Sequence, residues 1–218
     1  MTNRIEGSPE TIADTLRRDI LGGRFSPGER LLEIPLAERY DCGRAAIRSA
    51  LVELTAEGLV VREANRGAAV RQISIEDAIQ ITEARAALEG MVAGLAARRA
   101  TDEDRQWLAD LVAEMRSAVI DDRPGDYSAL NRELHRRLCE IADHTVALEL
   151  INTLRNRAAH HQYRLAAMPG RPADSLDQHG AIVDAVTAGD EDAATEAMRA
   201  HLGSVIEVLR RWKDVTQP

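Results

Sequence analysis

Apolar residues recur at helical spacing through most of the chain, and only one short stretch is patterned otherwise. In "SPETIADTLRRDILGG" the residues Ile12, Leu16 and Ile20 stand four apart, so they fall on one stripe of a helix. Ser8 is read as its N-cap, Pro9 as its first position and Gly22 as its stop. "FSPGERL" follows as a turn, and "IPLAERY" as a second short helix started by Pro35 and ended within residues 41–43. A third helix is predicted over 44–57, with Ile47, Leu51 and Leu54 as its buried stripe and Gly58 as its left-handed cap. "LVVREANRGAAVRQI" then places two short extended runs around Asn65, Arg66 and Gly67, which is a hairpin signal. Three helices and a hairpin in this order predict a winged helix-turn-helix.

From Ser74 onward the pattern becomes long amphipathic helices with no strand signal. "SIED" and "TDED", at 74 and 101, have the Ser/Thr-x-x-Asp spacing of a capping box. Helices are predicted at 75–99, 102–120, 125–142, 144–166, 175–188 and 191–212, with "DDRPGD" and "AAMPGRPAD" as breakers between them. The expected fold is therefore mostly α: an N-terminal winged helix-turn-helix domain over 1–72 and a C-terminal all-helical bundle over 73–218.

Composition narrows the classes. Of 218 residues 44% are apolar, enough for a real core. No apolar run reaches the roughly 18 residues of a membrane span, and "MTNRIEGSPE" lacks the apolar stretch of a signal peptide, so the expected location is the cytoplasm with no membrane partner. Cys42 and Cys139 lie far apart without a CxxC spacing, which argues against a disulfide scaffold or a cysteine-based zinc site. Aromatics at 3% argue against base-stacking platforms. The net charge of −8 opposes nucleic acid at first sight, but the first 72 residues carry 11 arginines and 11 carboxylates, so the negative excess falls entirely after residue 72. A neutral N-terminal domain can bind DNA if its arginines share a face.

Arg44 and Arg48 do share one. Four residues apart, they project from the side of the third helix opposite Ile47, Leu51 and Leu54. An arginine fork can donate to both major-groove acceptors of guanine, and the N-terminal residues of a helix in that groove meet base edges. Two ordinary solvated charges would be the plainer reading of such a pair. Their place after a short helix and a tight turn, and before a hairpin whose tip Arg66-Gly67 can reach phosphate or the minor groove, favours DNA contact.

In the helical region His135, His179 and His201 occupy "NRELHRRL", "DQHGAIVDAV" and "AMRAHLGSV", and Asn131 shares a helix face with His135. A single helical histidine is more often a surface or hydrogen-bonded residue than a ligand. Three of them with an asparagine one turn before the first make a weak metal signal, and imidazole nitrogen suits zinc, nickel, cobalt or manganese. His144, His160 and His161 have no motif behind them, although His160 and His161 sit on a helix expected near the cavity.

Together, "GGRFSPGERLLEIPLAERYDCGRAAIRSALVELTAEGLV", the hairpin "ANRGAAV" and "EARAALE" resemble the GntR family of bacterial transcription regulators, in particular the FadR-like branch with a C-terminal FCD domain. The resemblance runs from about residue 10 to residue 208. The family's usual Ser-Arg-Thr-Pro-Val-Arg-Glu-Ala-Leu is here Gly43, Arg44, Ala45, Ala46, Ile47, Arg48, Ser49, Ala50, Leu51. Both arginines are kept, while Ala45 and Ala46 lack a phosphate-binding hydroxyl and a helix-starting proline. The resemblance implies DNA contact by Arg44, Ala45, Arg48, Arg66 and Gly67. It also implies that His135, His179 and His201 hold a divalent transition metal, zinc first with nickel or manganese as alternatives, and that Asn131 stands where a ligating Asp is commonest. Arg85 of "EARAALE" matches a pocket arginine that would clamp a carboxylate; its plainer role is a salt bridge to Glu89.

The implied function is a ligand-responsive, DNA-binding transcription regulator, not an enzyme. It would be a homodimeric repressor, released from operator DNA by a small carboxylic acid bound at the metal site. The rival is a metal-dependent enzyme built on the histidine cluster, which would need a general acid or base at the open metal position. Glu133 and Glu140 flank His135 in sequence, but Glu133 is two residues away and should point elsewhere.

Overall fold

The computed structural model describes residues 11–63, 67–159, 161, 165, 168 and 170–216. The chain divides into two compact units, Met1–Gln72 and Ile73–Pro218.

In the first unit α1 (Ile12–Leu21) begins at Thr11, whose hydroxyl accepts from the Asp14 amide while the Asp14 carboxylate accepts from the Thr11 amide. Ser8 and Pro9, read as cap and first position, lie outside the described residues; the Thr11–Asp14 pair forms the complete capping box and sets the start. β1 (Arg30–Leu31) follows, then α2 (Glu33–Arg39) and α3 (Arg44–Ala56). α2 begins two residues before Pro35, because proline needs no amide partner within a first turn. β2 (Val60–Glu63) and β3 (Gly67–Val70) pair antiparallel as the hairpin. β1 joins β3 on its other side, giving the order β1-β3-β2. That third strand was read only as turn, since two residues are too short to show alternation. Gly58 and Gly67 both take positive φ, 87° and 82°, a backbone region that disfavours a side chain. Leu16, Ile47, Leu51, Leu54 and Leu59 form the buried centre.

In the second unit α4 (Ile75–Arg99) and α5 (Asp102–Ile120) open on the two capping boxes, Ser74 with Asp77 and Thr101 with Asp104. α6 (Pro124–Ile141), α7 (Thr145–Arg157), α8 (Arg171–Ala188) and α9 (Glu191–Thr216) complete it among the described residues. Three boundaries differ from expectation by four residues or more, the first being the end of α9 at Thr216 rather than 212. α7 ends at Arg157, its last carbonyls taken by the Ala158 amide, and Ala159, His161 and Leu165 are helical again, so the helix expected over 144–166 is interrupted at Ala158 rather than continuous. α8 starts four residues early, because Gly170 (φ 80°) turns the chain and Pro172 is tolerated in a first turn.

α4 is the central helix, packed by α6, α7, α8 and most extensively by α9. Gly90 and Gly94 make that approach possible: a Cβ on Gly94 would stand 2.4 Å from Thr195 Oγ1 and 3.0 Å from the Glu191 carbonyl. Val92, Ala96, Leu108, Met115, Leu134, Leu138, Ile182, Met198 and Leu202 fill the core. Cys139 is buried with them, and burial raises its thiol to about 12. Among the described residues, no helix is long and apolar enough to cross a membrane.

Candidate functional site

α3 buries Ile47, Ala50, Leu51 and Leu54 and turns Arg44 and Arg48 outward, with 61% and 58% of their side chains exposed. Ala45 is exposed beside them. Both guanidinium groups reach one carboxylate on α2. Arg48 Nε and Nη2 donate to the two Glu33 oxygens at 3.0 and 2.9 Å, and Arg44 Nη2 stands 3.6 Å from Oε2. The Arg48 hydrogen bonds hold Glu33 below the ordinary carboxylate range. Arg44, Arg48, Arg62 and Gly67 line one groove, edged by Leu32 and Ile34. Arg66, named for the hairpin tip, lies outside the described residues. Sequence reading singled out neither Glu33 nor Arg62.

The second constellation lies inside the helical unit. α6 supplies Asn131 and His135, α8 supplies His179, and α9 supplies His201. The three rings are buried and converge, one ligand nitrogen from each lying within 4.8 Å of the others. Ring centroids are 5.7 Å apart for His135 and His179, 5.5 Å for His135 and His201, and 4.4 Å for His179 and His201. The i, i+4 geometry of helices explains the convergence: Tyr127, Asn131 and His135 form one inward stripe, and Arg171, Ser175 and His179 another.

Every ring is oriented through Nδ1. His135 Nδ1 lies 2.5 Å from Glu89 Oε2, His201 Nδ1 2.9 Å from Gln178 Oε1, and His179 Nδ1 3.1 Å from the Tyr127 hydroxyl. The Glu89 and Gln178 oxygens only accept, so they make Nδ1 the donor and leave Nε2 of His135 and His201 with its lone pair, as outer partners of metal-bound imidazoles do, while the Tyr127 hydroxyl holds the ring of His179 in place. His179 Nε2 and Asn131 Oδ1 are both buried without a hydrogen-bond partner. A buried polar atom left unsatisfied costs about 1–3 kcal/mol, so an unsatisfied nitrogen within the imidazole cluster is an atom that something else would complete. Burial pushes all three imidazoles below their usual range, His179 and His201 well below it with the neighbouring rings adding to the effect. They are therefore neutral, the form that ligates a cation. Three imidazole nitrogens fit a borderline metal such as zinc and leave a fourth position for an oxygen ligand, the Asn131 amide or an exogenous one.

Arg85 plays the plainer role considered for it and also lines the cavity. Its Nε donates to Glu89 Oε1 at 2.7 Å, and it shares the cavity with Asn131, His135, Arg155, Arg171 and His201. Burial works to raise the Glu89 carboxyl, but Arg85 and His135 outweigh it and hold the group ionised, well below the usual range. Arg155 Nη1 stands 3.9 Å from Glu89 Oε2, and burial lowers its guanidinium to about 10. Arg171 Nη2 donates to Ser204 Oγ, whose single proton is shared between Gln178 Oε1 at 3.0 Å and the His201 carbonyl at 2.8 Å. Arg155, Arg171, Glu89, Gln178 and Tyr127 were not singled out from sequence as parts of this cavity; the four-residue spacings 127-131-135 and 171-175-179 were the available signal.

His144 and His161 have partners of their own outside the cluster. His144 caps α7 through Nδ1, His161 Nε2 pairs with the Ile73 carbonyl at 3.1 Å, and His160 lies outside the described residues. Glu133 and Glu140 both pair with Arg136, so neither is presented as an acid or base at the imidazoles.

Comparison with known proteins gives matches to both units. Residues 9–70 match the model of bacterial regulatory proteins of the gntR family, and residues 80–204 match the FCD domain. The HTH-type transcriptional repressor RspR of Escherichia coli (strain K12) is 30% identical, over 90% of this chain and 86% of that protein. The HTH-type transcriptional repressor GlaR of the same strain is 29% identical over 90% of this chain and 93% of its own length. Among solved structures, E. coli McbR/YncC shares the fold with a TM-score of 0.80 at 20% identity, over 92% of this chain and 95% of that one.

Proposed function

Since the chain belongs to the GntR family of bacterial regulatory proteins, with an FCD domain behind its DNA-binding unit, and is a DNA-binding transcription regulator rather than an enzyme, we propose that it is a metal-dependent, ligand-released repressor. The observation that carries this reading is the convergence of three buried imidazoles, two of which, His135 and His201, line a cavity together with Asn131, whose amide oxygen is unsatisfied. His135, His179, His201 and Asn131 hold a divalent transition metal, which supplies a Lewis-acidic point for a carboxylate oxygen. Arg85 and Arg155 line the cavity as cationic partners for the same acid.

Arg44 and Arg48 read the operator, with Arg62 and Gly67 at the edge of the groove and Ala45 allowing close approach. The regulator acts as a homodimer, since two-fold pairing matches a palindromic site and doubles the few contacts of one unit. Acid binding draws α4, α6, α8 and α9 onto the ligand and favours a dimer whose N-terminal units no longer match the operator spacing. Reciprocity then requires operator DNA to weaken acid binding by the same factor, typically worth about 1–3 kcal/mol.

Purification without chelator followed by elemental analysis tests the site. The wild type is expected to carry about one transition ion per chain, and His179→Ala to lose both the ion and the release of operator by small acids. Equal metal content in the two proteins would overturn the assignment.

A further inference from the structure

The cavity is unusual in its charge. Among the described residues three arginines line it, Arg85, Arg155 and Arg171, and no carboxylate does. The nearest counter-charge, Glu89, is already shared: it pairs with Arg85 at 2.7 Å, with His135 at 2.5 Å and stands 3.9 Å from Arg155. One carboxylate therefore answers two of the three guanidinium groups. Arg171 has a neutral hydroxyl, Ser204 Oγ at 3.0 Å, as its hydrogen-bond partner. The metal donors are neutral too, three imidazoles and an amide, so a bound divalent ion keeps its full charge. A buried site with this surplus is stable only when an anion enters it.

The surplus is also divided in space by the elements that supply it. Arg85 on α4 and Arg155 on α7 are tied to His135 through Glu89. Arg171 on α8 is tied to His201 through Ser204 and Gln178. The imidazoles thus have one cationic group on the His135 side and another on the His201 side, fixed by different hydrogen-bond chains. A single carboxylate placed at the imidazoles answers the first group and the metal, and leaves Arg171 with no anion hydrogen-bonded to it, the Asp174 carboxylate acting on it without lining the cavity.

We propose that the natural ligand class is a dicarboxylate, one carboxylate seated at the imidazoles and the other on Arg171, with Ser175 and Tyr127 lining that second seat. This rests on the metal-and-acid reading above and sharpens it. Arg171 is then the residue that separates two-ended acids from one-ended acids, through a charge-assisted fork on the far carboxylate.

The test uses zinc-loaded full-length protein and straight-chain acids of three to five carbons, malonate, succinate and glutarate against propionate, butyrate and valerate, read by calorimetry. The best dicarboxylate is expected to bind about tenfold or more tighter than the monocarboxylate of equal length, the gain of one hydrogen-bonded charge pair. Arg171→Gln should erase that margin, read as the ratio of the two acid classes within the same zinc-loaded variant so that any change at His201 affects both alike, and Arg171→Lys should keep part of it. Equal binding of the two classes by the wild type overturns the proposal, as does a margin that survives in Arg171→Gln. The wild-type comparison decides the ligand class without any variant. Failure of the underlying reading has a separate signature: no zinc retained, or no acid of either class bound.

Discussion

His135 Nδ1 and Glu89 Oε2 meet at 2.5 Å inside the bundle, and this contact joins the imidazole cluster to the buried arginines. An ionised carboxylate against one ring nitrogen makes the ring a donor there and leaves Nε2 with its lone pair facing the cavity.

Glu89→Gln is therefore expected to weaken zinc binding by about 10- to 100-fold, the usual cost of losing an outer partner of a metal-bound imidazole. It also strips Arg85 of its buried counter-charge, so the thermal midpoint should fall as well. Competition with a chromophoric chelator measures the first effect and calorimetry the second; unchanged affinity would separate Glu89 from the metal.

Arg48→Ala should cost about 1–3 kcal/mol of operator discrimination while leaving the helical content intact, because the side chain is exposed and supports no core contact. Electrophoretic shifts with specific and scrambled duplexes decide it. A variant that keeps its preference for the specific duplex would place sequence reading elsewhere on the molecule.

Acid should destabilise the metal-free protein in the range where free imidazole titrates. His135, His179 and His201 are buried neutral, below their ordinary values in the folded state, whereas the unfolded rings titrate near about 6.5. Below that pH the unfolded chain binds more protons, so stability present above it is lost as pH falls. The midpoint is expected to drop between pH 7.5 and 5.5, and to drop less in His201→Gln. Parallel slopes in the two proteins would contradict the assignment.

Gly94→Ala should be strongly felt. The added methyl would overlap Thr195 Oγ1 and crowd the Glu191 backbone, forcing α9 away from α4 at an expected cost of about 1–3 kcal/mol. Denaturant unfolding checks this, with Gly180→Ala as the control where nothing stands within 4 Å.

Much of this was legible beforehand because helices announce themselves locally. The capping boxes at Ser74 and Thr101 placed α4 and α5, and the opposition of Ile47, Leu51 and Leu54 to Arg44 and Arg48 gave the exposed face of α3. β1 was missed because two residues gain their strand character from pairing with Ala68 and Ala69, a long-range partner that no local pattern reveals. The cavity arginines were missed for a related reason. Arg171 stood in a segment read as a breaker, and Arg155 on a helix with no motif; each acquires its role only when α7 and α8 fold against α4.

The shared grip of Arg44 and Arg48 on Glu33 also bears on how this regulator searches a genome. A guanidinium already satisfied by a carboxylate holds fewer condensed anions and gains less from a stray phosphate, so loose association along random sequence is weak and its salt slope shallow. Displacing Glu33 costs the same at every sequence, and a duplex that engages both forks at base edges repays it more fully than one that meets them with a single phosphate. A single acidic side chain thereby raises the contrast between the right sequence and all others by handicapping the wrong ones.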